Sequence, residues 1–230
     1  MNARQTIRVA LKRARRGLKK RQVLRTFMHE NVPYFSQWES RELVEKILTN
    51  EISPSEDPNW KKSGAETKEE YDAWSASGCG MACTKMLVDH LWDREVPLVE
   101  LGKKCAEYGG YTLPVEQSVG LIYGPYERFA KEELGLKARA VLPLLIDEII
   151  EELAADKYIM ASVSPKIRHA SENPTKKGGH LILMLGYDLD KQLLYFHNPS
   201  GFTKETQEYA SISFRDFKKF FGGRGIVVGR

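Results

Sequence analysis

The sequence predicts an α+β protein, and three observations predict it. Up to about residue 155 the apolar residues recur at helical spacing; beyond residue 157 the period changes to two. Helices first and an antiparallel sheet after is the pattern of an α+β arrangement. The chain has 230 residues, 42% hydrophobic and 29% charged, enough to bury a core as one large domain or as a medium domain with an appendage.

The first element is a basic leader. Residues 1–29 hold ten Lys or Arg and no Asp or Glu, so the other 201 residues carry 25 basic against 31 acidic side chains. The formal net charge of +4 therefore belongs to the leader. Ile7, Leu11, Ala14 and Leu18 share one helical face, with Gly17 weakening that helix by about 1 kcal/mol. Residues 1–25 fit an anionic surface, lipid or nucleic acid, through phosphate contacts; a plain solvated helix fits them as well. No aromatic residue precedes Phe27, which argues against base stacking. The leader has neither the uninterrupted apolar stretch nor the small-residue cleavage site of a secretory signal. No run approaches the ~18–20 apolar residues that cross a bilayer. Three cysteines, an odd number, exclude a disulfide scaffold and point to a reducing, cytoplasmic compartment.

From residue 30 onward the composition is globular. Pro33 biases Val32 to an extended entry. Leu43, Ile47 and Leu48 mark a helix over residues 40–50 with Ser40 as N-cap, and residues 51–70 read as a surface loop. A helix starts abruptly at Gly78-Cys79-Gly80 and runs to about Trp92, with Ala82, Met86, Leu87 and Leu91 inward. Further helices fit 98–108, 125–134 and 144–155; the acidic run of the last is a solvated face. Strands fit Tyr158–Ser164, His180–Asp188, Leu193–Asn198, Tyr209–Ser213 and Gly225–Val228, with a short helix from Ser213 to Phe221. Phe221–Gly225 reads as a tight turn.

Four polar residues stand out. Cys79 lies between glycines at a helix start, where converging N–H groups and the helix dipole favour a thiolate and can hold an oxyanion. The alternative is a small residue at a helix cap. Cys83, one turn on, and Cys105 read as core, and Cys79, Cys83 and His90 lack the ligand spacing of a zinc site. His180 opens an apolar strand. With the following hairpin centred on Leu189, Tyr187 opposes Lys191 and His180 opposes Asn198, so both side chains share a face. Asn198 would then orient the imidazole, and His197 would point to the other face. Asn198 equally suits a strand terminator before Pro199. Gln37 is polar within an apolar stretch and can supply an amide donor to an oxyanion. No phosphate loop or dinucleotide fingerprint is present, and His29, His90 and His169 read as surface or structural residues.

Four pieces in this order, VPYFSQW, SGCGMACTKML, GGHLILMLGYD and YFHNPSG, resemble the papain-like peptidases that process bacteriocin leaders at a double glycine, and still more their stand-alone relatives. The closing YASISFRDFKKFF is similar to the family's last strand and helix. The resemblance runs from about Val32 to Val228. It implies a papain-like cysteine peptidase fold over residues 30–230, with Cys79 as nucleophile, His180 as general base and acid, Asn198 orienting the imidazole and Gln37 in the oxyanion hole. It implies a bacterial, cysteine-dependent hydrolase of peptide or amide bonds that needs no metal or organic cofactor. Asn198 replaces the Asp of many members, which leaves a Cys-His-Asn triad. The wide gap between Gln37 and Cys79 implies an insertion beside the cleft, within residues 39–75. Three rival readings remain: an acyltransferase with the same triad and an amine or thiol acceptor, a non-catalytic peptide-binding module of the same fold, and nucleic-acid binding through the leader.

Overall fold

The computed structural model describes residues 23–169 and 171–230. The amphipathic helix expected over Ile7–Leu18, and most of the basic leader, lie outside the described residues. The leader's last part is described: Thr26–Met28 forms strand β1 and pairs with Gly186–Asp188, so the sheet begins before the boundary expected at residue 30.

The helices follow in chain order: α1 (Val44–Leu48), α2 (Lys68–Ser77), α3 (Cys79–Trp92), α4 (Leu98–Glu107), α5 (Tyr123–Leu134) and α6 (Ile146–Leu153). β2 (Lys137–Val141) lies between α5 and α6. After α6 come β3 (Tyr158–Val163), β4 (His180–Asp188), β5 (Leu193–His197), α7 (Lys204–Gln207), β6 (Ala210–Ser213), α8 (Phe214–Phe220) and β7 (Phe221–Gly229). Among the described residues the strands form one seven-stranded antiparallel sheet in the order β2-β7-β3-β4-β5-β6, with β1 against the second half of β4.

Strand alternation sorts side chains to two faces. Met160, Leu181, Leu183, Leu185, Ile226 and Val228 pack with Met81, Met86 and Leu87 of α3 and with α4 and α5. Ile159, Ala161, Ile182, Met184 and Val227 pack with Ile149 and Leu153 of α6 and Phe217 and Phe220 of α8. Every residue of β4 is buried, as expected of a strand covered on both faces. This double burial is what fixes His180 at the start of β4 against α3.

Three expectations need correction. Phe221–Gly225 is the start of β7 rather than a turn; the pairing with β3 shifts between Val163–Phe221 and Ala161–Gly225, which accommodates Gly222–Arg224 as a bulge. Residues 51–70 hold two short 3-10 turns, Pro54–Glu56 and Trp60–Ser63, and the start of α2. Ser40 makes no cap bond; instead Asp57, buried, accepts from Ser40 N–H and Oγ–H, Asn59 N–H and Tyr71 O–H. These bonds satisfy a buried carboxylate and tie residues 40–71 into a compact unit beside α3. Among the described residues no helix is long and apolar enough to cross a membrane.

Candidate active site

Residues 198–200 follow β5, and the chain around them holds this loop by its carbonyls. Asn198 O accepts from Tyr34 O–H, Pro199 O from Gln37 N–H and Ser36 Oγ–H, and Ser200 O from Arg168 Nε–H. The VPYFSQW segment therefore runs alongside the NPSG segment, which joins two distant motifs in one site. Gln207 closes the far side, its carbonyl accepting from Asn198 N–H and its amide donating to Gly201 O.

His180 enters β4 after Gly178 and Gly179, both with positive φ (87° and 96°), a conformation that glycine adopts without strain. The β4–β5 register differs from the expected one. Tyr187 pairs with Leu194 and Leu183 with His197, with a shift between Met184 and Gly186. Extended along β4, this places His180 across from Ser200 rather than Asn198. The expected facing nevertheless holds, because the displacement is two residues and parity decides the face. The bulge at Leu185 is what restores that parity.

His180 Nε2 lies 2.8 Å from Asn198 Oδ1 and 3.0 Å from Ser200 Oγ. The backbone settles the proton. Ser200 N–H donates to Asn198 Oδ1 at 3.1 Å, so that oxygen faces the ring and can only accept. His180 Nε2 therefore carries the hydrogen and Nδ1 is the basic nitrogen. Ser200 Oγ–H turns to Asn198 Oδ1 (3.3 Å) while Arg168 Nη2 donates to Ser200 Oγ at 2.6 Å. His197, next to Asn198, faces the other way. Its Nε2 donates to Val32 O (3.0 Å) and its Nδ1 accepts from Tyr209 N–H (2.9 Å), so both nitrogens are committed.

Cys79 is the first residue of α3 and is half-buried, whereas Cys83 and Cys105 are fully buried. It is the least buried of the three cysteines. Cys83, expected in the core, is there, with its S–H 3.8 Å from Leu181 O. Burial pushes the Cys79 thiol up, against the pull of the Leu181, Gly80 and Cys79 amide N–H groups and the Arg168 guanidinium. This corrects the expectation that the helix start alone lowers it. Burial also pushes the His180 imidazole down, to about 3, with Arg168 adding to the effect and Asn198 opposing it. The resting pair is therefore a neutral thiol and a neutral imidazole. The structure links His180, Asn198 and Ser200 in one network and sets Cys79 against the Leu181 amide, the next residue after His180. No hydrogen bond joins Cys79 to His180 among the described residues.

Gln37 is buried between this loop and the end of α2, its Nε2 donating to Ser75 O at 2.9 Å. One of its two amide hydrogens remains. Gln37 Oε1 and Asn198 Nδ2 are buried with no partner among the described residues, at a cost of about 1–3 kcal/mol each. Leu121 lies over Gly80, where a Cβ would meet its side chain at 2.9 Å, and so roofs the helix start.

Arg168, Ser200 and Leu121 were not among the residues expected here. For Ser200 a signal existed: an N–H two residues after an Asn returns to that side chain in an Asx turn. For Arg168 none did, since only the folded β3–β4 connection brings it to Ser200. The other histidines are structural. His29 is buried rather than exposed, stacked on Tyr158 with ring centroids 3.9 Å apart, and His169 meets Phe202 edge-on. Among the described residues no cluster of His, Cys, Asp and Glu could hold a metal.

A model of the Peptidase_C39 like family matches residues 29–225. The structure is similar to that of a protein described as a C39-like peptidase from Bacillus anthracis, with a TM-score of 0.55, 14% identity, and coverage of 89% of this chain and 98% of that one. It is also similar to the peptidase domain of Streptococcus ComA, a bi-functional ABC transporter, at a TM-score of 0.47 and 14% identity, over 67% of this chain and 92% of that one. No curated protein matches the chain. The Bacillus likeness carries the fold, a papain-like arrangement of helices on an antiparallel sheet.

Proposed function

The chain belongs to the peptidase C39-like family, and from that premise we propose that it is a cysteine-dependent hydrolase of peptide or amide bonds that works through Cys79, His180 and Asn198. One observation carries this reading: the Ser200 N–H orients the Asn198 amide so that His180 keeps Nδ1 free, while Cys79, the least buried of the three cysteines, lies against the amide of the residue that follows His180.

Substrate binding brings Cys79 Sγ and His180 Nδ1 within reach; such bonds are often long in the empty site and tighten on binding. Nδ1 takes the thiol proton as sulfur attacks the carbonyl carbon, and the carbonyl π electrons move to oxygen. The Cys79 backbone N–H and the spare Gln37 amide hydrogen receive that oxyanion. Collapse of the tetrahedral species breaks the C–N bond, and the imidazolium returns its proton to the departing amine. Water, deprotonated by Nδ1, then attacks the thioester and releases the acid and the thiol. Asn198 holds the ring by accepting from Nε2–H throughout.

The test is intact-mass analysis of the protein quenched during incubation with a mixed peptide pool. A Cys79-linked acyl adduct, absent in Cys79→Ala and accompanied by free-acid product, supports the reading. If added amine diverts the acyl group to an amide at the expense of acid, the protein is an acyltransferase. Peptide retention with neither adduct nor product makes it a binding module.

A further inference from the structure

The neighbourhood of the proposed site contains a half-buried full charge, Arg168, that the mechanism does not use. Arg168 ends the 3-10 turn Pro165–Arg168 that follows β3. Its guanidinium donates to Ser200 O (Nε, 2.6 Å), Ser200 Oγ (Nη2, 2.6 Å) and Pro165 O (Nη1, 3.1 Å). All three acceptors are neutral. Among the described residues it has no carboxylate partner, although the chain has 31 Asp and Glu. A half-buried guanidinium without an anion is costly, and burial pulls its own proton affinity down. The group that favours its charge is Cys79 once that thiol is ionised.

We propose that Arg168 is a positioning residue that sets the working pH of the site: through the Ser200 oxygen it touches, it holds a standing positive charge where the Cys79 sulfur becomes negative and the His180 ring must stay neutral. This deepens the proposed function and rests on it. The physical point is that one cation acts on both groups in the same direction. It favours the ionised thiol and disfavours the protonated imidazole, so both titrations move to lower pH. Their difference, which governs proton transfer from Sγ to Nδ1, changes little. The charge therefore moves the window of activity and leaves the plateau rate nearly alone.

The other groups facing the pair do not supply this charge: Arg224 of β7, whose guanidinium would meet a Cβ at Gly178 at 3.0 Å, is exposed to solvent. Cys83 on α3 and Tyr111 after α4 are buried and held neutral, with their titrations pushed well up by burial. On His180, Asn198 and Ser200 act as neutral hydrogen-bond partners. Arg168 also anchors the loop that carries Asn198 and Ser200, and the experiment must separate that anchoring from its charge.

The experiment compares the native protein with Arg168→Gln and Arg168→Lys, using iodoacetamide alkylation of Cys79 against pH and an NMR titration of the His180 ring. Neither readout needs a substrate. In Arg168→Gln both midpoints rise by about one pH unit, and alkylation of Cys79 below its midpoint slows about tenfold at a given pH. Arg168→Lys, which keeps the charge and loses the planar fork, titrates like the native protein. Unchanged midpoints in Arg168→Gln overturn the proposal. Equal shifts in both variants also overturn it, since the role would then be anchoring. If Arg168→Gln does not fold, Arg168→Lys decides, with native midpoints supporting the charge and displaced ones contradicting it. Failure of the proposed function has a different signature: Cys79 in the native protein reacting no faster than in His180→Ala.

Discussion

His180 and His197 occupy neighbouring strands, both buried and both with imidazoles pushed down, to about 3 and about 4, chiefly by burial. Burial and depressed basicity therefore do not distinguish them. The accounting of ring nitrogens does. His197 donates to Val32 O and accepts from Tyr209 N–H, which makes it a cross-link between the entry segment, β5 and the residue before β6. His180 spends only Nε2, on Asn198 and Ser200, and keeps a nitrogen for chemistry. A perturbed titration marks both a functional and a structural residue; an uncommitted ring nitrogen marks the functional one.

The largest effect that sharpens this contrast is on turnover. His180→Ala lowers peptide hydrolysis per folded molecule by about 10²–10⁴-fold. Asn198→Ala removes the nearer acceptor of Nε2–H, leaving only Ser200 Oγ, and lowers hydrolysis by about 10²-fold or more. The opposite profile belongs to His197→Gln. The amide can still donate to Val32 O, but Tyr209 N–H loses its acceptor, so stability falls by about 1–3 kcal/mol while hydrolysis per folded molecule is retained. A hydrolysis defect in His197→Gln equal to that of His180→Ala would break the comparison.

A pH effect follows from His197, in the same direction as those of His180 and His29. The folded-state midpoint of His197, about 4, lies below the ordinary value of about 6.5. The unfolded chain thus binds the proton first as pH falls. The contribution is complete above pH 6.5 and is lost between there and pH 4, amounting to about 3 kcal/mol. Urea unfolding midpoints of the native protein and His197→Gln across that range check this. The variant's curve should be the flatter.

Much of the fold was legible because periodicity reports burial. β4 reads as a strand from His180 to Asp188, and α3 from Cys79 to Trp92, because each is apolar on the faces it buries. Lys137–Val141 escaped because KARAV is half exposed at the sheet edge and shows no run of apolar residues. Residues 68–77 escaped because α2 is polar apart from Tyr71 and Trp74, its buried aromatic pair. Residues 221–225 looked like a turn because glycine signals both turns and bulges, and only pairing with β3 selects the bulge. At the site, the positions of Cys79, His180, Asn198 and Gln37 could be singled out from local chemistry, and the His180–Asn198 bond followed from strand parity even though the register was displaced. The neutral state of the pair was not legible, since it depends on burial that no local pattern encodes. Nor was Arg168, which reaches Ser200 across 32 positions of chain.

The central claim is that Cys79 reacts through His180 and not through His197. The most direct test is the rate of iodoacetamide alkylation at each cysteine, by mass spectrometry between pH 5 and 10, for the native protein, His180→Ala and His197→Gln. The expected result is that Cys79 alone is alkylated, that His180→Ala slows it near neutral pH, and that His197→Gln does not. Equal rates at Cys79 in the native protein and His180→Ala would contradict it.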